Sequence, residues 1–355
     1  HDGDVSSFMG LTQYNRFRFT RPGPEFKSAI WMHRANHGQW NTVWNNKDNG
    51  TYSVRALQLD ALVSGEEQRR FGRVVIGGFL EATLNGREEY RAIFRDHRAA
   101  GDWLPPEMYI TRYADARTRM LATFEEDVDV TTGSANGVRL RGDSLSTWKE
   151  SDSPARARSS TFRSNMATLG WNNSPAAGRD STSTRWPARF TVTISDALQR
   201  ELAVNERSML LLTIGSTDQK PGPRKVARDT SKRATPPRDS TARKAAPKPS
   251  APKPAKPAKD TVAPDLTVEL EDASGHIARL PLSTFGPVRM PIESYIYRRK
   301  NRDKAQFPTL AEPVMQTYAL PLARFRETDA AFNPSALQHI RLVFDRKKVG
   351  AITLD

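Results

Sequence analysis

From Lys220 to Lys259 the chain carries nine prolines, 13 lysines and arginines, and no aromatic residue. Such a stretch buries too little apolar surface to offset the entropy lost on ordering. Its prolines also remove backbone donors that a helix or sheet would need. An extended, partly polyproline tether over residues 219–264 is therefore expected. Whatever folds must be assembled from the chain on either side of it. The tether itself is either a solvated spacer or an attachment to an acidic polymer, wall or membrane surface.

The same segment dominates the charge. It supplies +11 of the formal net charge of +14, because only Asp229 and Asp239 oppose its 13 cations. The other 315 residues carry +3, so the foldable parts lack the basic field of a genome-binding domain, and no specific nucleic-acid partner is expected. The chain has no cysteine, which excludes disulfides, thiol nucleophiles and thiolate metal sites. No apolar run approaches the roughly 20 residues of a membrane span, so no transmembrane segment is expected. Mean hydropathy is −0.64, as suits a chain folded only in part. Composition leaves the compartment open, with an extracellular or cell-surface location as the working expectation.

Before the tether, two patterns succeed one another. Ala29 to Met32 is a short apolar run of the kind that forms a buried strand, and it gives way to Ala35-Asn36-His37-Gly38. A histidine just past a strand has a fixed backbone and a ring free to reach a cleft. Trp40 and Trp44 follow, either packed on a sheet or lining a pocket mouth. Ser64 and Glu67 have the spacing of a capping box. Phe71, Val74, Val75, Gly78, Phe79 and Ala82 then recur at helical spacing, and Gly86 is a stop signal. Arg87 to Phe94 reads as a second, shorter helix. Gly101 to Pro106 reads as a domain exit.

From about Tyr109 the runs become short and alternating: Val128 to Thr132, Val138 to Leu140, Phe190 to Ile194 and Met209 to Ile214. After the tether they resume at Leu266 to Leu270, His276 to Leu280, Gln316 to Leu320, His339 to Phe344 and Gly350 to Asp355. Short strands separated by turn residues point to an antiparallel sandwich. The expected organisation is a domain over 1–104, half a sandwich over 109–218, the tether over 219–264, and the second half over 265–355. Inserting a long loop into one sandwich costs little, because closure entropy grows only logarithmically with length.

Two resemblances follow from particular residues. Asp2-Gly3-Asp4-Val5, with Ala35-Asn36-His37-Gly38 further on, resembles the last two triad positions of an α/β-hydrolase of the esterase or dienelactone-hydrolase kind. The resemblance implies that His37 is the general base and that Asp2 orients it, the two meeting on one edge of a parallel sheet. Asp4 is the alternative acid, and His33 is a weaker candidate base. Gly-x-Ser-x-Gly occurs nowhere in the chain. The nucleophile and oxyanion hole are thus expected upstream, in a larger hydrolase of which these residues are the last strands and helices. Alone they are expected to be inactive on an ester or polymeric substrate.

The later strands resemble a jelly-roll carbohydrate-binding module, with Ile340 to Phe344 and Ala351 to Asp355 as its closing strands. That resemblance implies sugar stacking on Trp148, Trp171, Trp186, Tyr295 or Tyr297. It also raises a calcium site at Asp127, Asp129 and Asp355. No other cofactor is expected. A non-catalytic protein that binds carbohydrate or a surface is the alternative to the hydrolase.

Overall fold

The computed structural model describes residues 9–45, 56–152, 164–174, 187–217, 219, 221, 262–293, 295–306, 311–312 and 314–355. Asp2, Asp4 and most of the tether lie outside them.

The first unit begins with helix α1, Met9–Arg16, and strand β1, Phe26–Met32. Helix α2, Gly65–Thr83, follows, then the short helix α3, Arg91–Arg95, and strand β2, Tyr109–Asp115. The expected capping box forms: Ser64 Oγ accepts from the Glu67 amide, and the Glu67 side chain accepts from the Ser64 amide. Two of the orphan donors at the helix start are thereby satisfied. Ser64→Ala is expected to lower stability by about 1 kcal/mol, read as an earlier urea midpoint at unchanged slope.

β1 pairs antiparallel with β2, from Phe26 opposite Asp115 to Met32 opposite Tyr109. This corrects the parallel sheet that the hydrolase resemblance implied. Among the described residues every strand pairing is antiparallel. It also places Tyr109–Asp115 with the first unit instead of at the opening of the sandwich. One face of the pair, carrying Phe26, Ile30, Met32, Tyr109 and Tyr113, is buried with Phe71, Ile93 and Phe94 from the helices.

The rest is a two-layer sandwich. Its strands are β3 Val138–Asp143, β4 Thr147–Asp152, β5 Asn165–Asn172, β6 Arg189–Ile194, β7 Met209–Ser216, β8 Thr267–Asp272 and β9 Ile277–Pro281. After two short strands, β10 Ile292–Glu293 and β11 Ala311–Glu312, come β12 Gln316–Pro321, β13 Leu337–Val343 and β14 Val349–Leu354. One sheet has the order β12-β7-β14-β5-β4 and the other β3-β6-β13-β8-β9. Successive strands repeatedly change sheet, as in a jelly roll. Strands from before and after the tether pair directly: β14 lies between β5 and β7, and β13 between β6 and β8. A single core, including Leu169, Trp171, Phe190, Ile340, Phe344 and Ile352, fills the space between the sheets.

The strand expected at Val128 to Thr132 is instead a turn, held by Asp127 and Asp129. The strands β4 and β5 form in addition to the expected runs. β5 reads Asn-Met-Ala-Thr-Leu-Gly-Trp-Asn, and six of its eight positions are buried, so it lacks the alternation that marks a half-exposed strand.

Candidate functional site

Four places bear on function: the loop carrying His37, the three carboxylates suggested for calcium, and the two outer faces of the sandwich. His37 stands at the start of a single 3₁₀ turn, Gly38–Trp40, in right-handed helical conformation. Its ring lies 5.5 Å from that of Trp44. The backbone beneath it is fixed by buried amides. Gln68, fully buried on α2, accepts from the Asn36 amide at 3.0 Å and donates to the Asn36 carbonyl at 2.7 Å. Asn36 Oδ1 accepts from the Gln39 amide at 2.9 Å, and Gln39 Nε2 donates to the Val63 carbonyl at 3.0 Å. A buried amide satisfied at both ends holds its partners far more tightly than an exposed one. Gln68 falls on the inner side of α2 among apolar residues, and only that polar interruption hints at its role.

The proposed pairing of Asp2 with His37 lies outside the described residues. His33 donates its amide to Met108 and its ring lies 5.6 Å from Trp31, where burial lowers its pKa. Trp40 packs on Phe71, with ring centroids 6.0 Å apart, while both Trp40 and Trp44 remain exposed at one edge.

The suggested calcium site does not assemble. Asp127 accepts from Asp129 and Thr132, Asp129 accepts from Thr131, and Asp355 is ion-paired with Arg112. Among the described residues no group of three or more histidines and carboxylates could hold a metal.

Four of the five aromatics suggested for sugar stacking lie among the described residues. Trp171 is fully buried in the core, and Trp148 packs inward against Phe190 at 5.8 Å. Tyr295 and Tyr297 carry Lys300 and Arg302 over their rings. Trp186 lies outside the described residues.

The outer face of the β12-β7-β14-β5-β4 sheet is covered by the first unit at β12 and β7, while Lys149 and Ser151 on the edge strand β4 stay exposed. Leu211 packs into the core of the first unit, and Arg112 from β2 pairs with Asp355 beyond β14. Tyr14 lies under Arg112 at 5.1 Å and under Lys27 at 4.2 Å. Thr168, Thr317 and Thr353 on that face are buried, with Thr353 Oγ1 3.2 Å from Met315 Sδ. Lys27 Nζ donates to the carbonyls of Tyr14 and Phe17 at 2.8 and 3.0 Å. Burial, reinforced by Arg18 and Arg112, lowers its pKa to about 8. The unfolded chain then binds more protons than the folded one between about 8 and the ordinary lysine value, so stability should rise with pH across that window. Urea unfolding at several pH values measures the rise, and Lys27→Met should flatten it.

The opposite outer face, on β3-β6-β13-β8-β9, is lined by side chains in register, all of them polar but Ile277 in the two rows that follow. One row runs Arg139, Thr193, His339, Glu271 and Ile277 across the five strands. The next runs Arg141, Thr191, Arg341, Glu269 and Arg279. Glu269 is 3% exposed and gives one oxygen to each neighbour, with Arg341 Nη1 and Arg279 Nε each at 2.7 Å. Burial pushes its carboxyl pKa up, but the hydrogen bonds from Arg279 and Arg341 outweigh this and hold it below the usual range. Arg341 also pairs with Glu271, and Thr193 meets His339 Nδ1 at 3.1 Å.

No family model matches this chain, and no curated protein sequence matches it. Among solved structures, the family 30 carbohydrate-binding module of the cellulosomal cellulase Cel9D-Cel44B of Clostridium thermocellum aligns at 8% identity and TM-score 0.27, covering 60% of this chain and 90% of that one. The family 11 module of Lic26A-Cel5E from the same organism aligns at 9% identity and TM-score 0.27, covering 67% and 90%. A family 11 module in complex with a β-1,3-1,4-mixed-linked tetrasaccharide gives 8% and 0.28, covering 67% and 91%.

Proposed function

We propose that the chain is a binding protein whose sandwich engages a polysaccharide through the outer face of β3-β6-β13-β8-β9. One observation carries this: five adjacent strands present in-register donors and acceptors on that face, while the other outer face is occupied by the first unit. A polyhydroxylated polymer supplies both donors and acceptors along an extended chain, which suits such rows. The absence of aromatic side chains from both rows makes recognition depend on hydrogen bonds and charge instead of ring stacking. Affinity electrophoresis through gels containing neutral and acidic polysaccharides tests it. Retardation by at least one polymer is expected, and free migration through all of them would discard the function.

A second function is favoured by the clamped backbone at His37. There Asp2 and His37 would be the acid and base of an ester-hydrolysing triad. His37→Ala and Asp2→Asn should each abolish most of any ester turnover the protein shows. Full turnover in His37→Ala would end the hydrolase proposal. If Asp4→Asn alone is inactive, Asp4 is the acid.

A further inference from the structure

Resting on the binding function proposed above, we infer that the preferred ligand is an acidic polysaccharide, laid across the strands along the row Arg141–Thr191–Arg341–Glu269–Arg279. The arginines of this row stand on alternate strands, the first, third and fifth of the sheet. Neighbouring strands are about 4.8 Å apart, so successive guanidinium groups start about 9.6 Å apart. An extended pyranose chain repeats on a similar scale every two sugars, so its carboxylates can meet Arg141 and Arg279, about 19 Å apart at the two edges, while Arg341 between them is 17% exposed and already paired with Glu269 and Glu271.

The chemistry of the row supports a ligand with both carboxylates and hydroxyls. Arg141 and Arg279 are 75% and 57% exposed at the two edges, open to an incoming anion. Glu269 is buried, and its two oxygens are taken by Arg279 and Arg341, so it orients those arginines without facing the ligand. A guanidinium fixed in advance loses less freedom on binding a carboxylate, and its planar fork matches the carboxylate geometry. The row above adds Glu271, 20% exposed, as an acceptor for ligand hydroxyls. A nucleic-acid backbone offers few such donors, and these rows give its bases no ring to stack on.

The chain is titrated with polygalacturonate, with neutral mixed-linkage β-glucan and with poly-glutamate. Tight binding of polygalacturonate is expected, weakened at least tenfold in Arg141→Gln/Arg279→Gln. Arg141→Gln alone removes only an exposed group and its bond to Asp143, so it keeps the fold intact and should cost roughly threefold. A variant with Lys248, Lys253, Lys256 and Lys259 changed to glutamine should bind like the parent, which separates the face from the basic tether. Unchanged binding in both arginine variants overturns the inference, as does a loss that follows the lysine variant instead. Equal binding of poly-glutamate overturns it in favour of an acidic peptide. Binding of β-glucan without polygalacturonate overturns it while leaving the polysaccharide-binding function intact. Binding of neither polysaccharide removes both.

Discussion

Trp171→Ala is expected to destabilise the sandwich by about 3–5 kcal/mol, among the largest losses any single change here should cause. The indole is fully buried on β5 and stacked on Phe344, with ring centroids 4.3 Å apart and planes 15° from parallel. Its Nε1 donates to the Lys347 carbonyl at 2.7 Å, tying the turn between β13 and β14 to the core. Alanine would therefore remove apolar burial, leave a cavity and strand a carbonyl at once. Trp171→Phe keeps most of the burial and loses mainly the hydrogen bond, so it should cost clearly less. Gly350, directly opposite on β14, has room for no side chain: a Cβ there would stand 2.4 Å from the indole. Gly350→Ala should thus cost about 1–3 kcal/mol by overpacking, but much less in the Trp171→Ala background, because the two sites share one space. Chemical denaturation of the four proteins measures the coupling. A loss below about 1 kcal/mol for Trp171→Ala would contradict the packing described.

Arg112→Leu is expected to cost a comparable amount, about 3–5 kcal/mol, through a different mechanism. The Arg112 and Asp355 side chains are 8% and 12% exposed where the first unit meets the sandwich. Removing the cation leaves the Asp355 carboxylate in that interface without its partner. Faster amide exchange in β2 should accompany the loss, because this ion pair joins the β1-β2 pair to the covered sheet. Arg112→Leu with Asp355→Leu should recover most of the stability, since replacing both members of a buried pair with apolar groups is often close to neutral. If the single and double changes are equally destabilised, the pair is not what holds the two layers together.

Much of the sandwich was legible because its strands alternate. Val138, Leu140, Phe190 and Val192 point inward, and the arginines and threonines between them point outward. The helix beginning after Ser64 was equally plain, since capping and apolar spacing are both local signals. The strand β5 was hidden because it is covered on both faces. The antiparallel partner of β1 was hidden for another reason. β2 lies beyond two helices in the sequence, and nothing in Ala29-Ile30-Trp31-Met32 encodes which strand will pair with it or in which direction. Gln68, Arg112 and Glu269 carry no local signal either, since each acts on a residue at least 32 positions away or on another strand.

By itself the sequence determined where the chain can fold and where it cannot, the period of most of its elements, and the concentration of positive charge in one proline-rich segment. These depend on neighbours a few residues apart, whose chemistry is written in order along the chain. Tertiary structure alone decided which strands are partners, which sheet face is covered, and which arginines share a buried carboxylate. Those outcomes depend on groups brought together across long loops, where the deciding terms are desolvation and packing, and neither can be read from linear spacing.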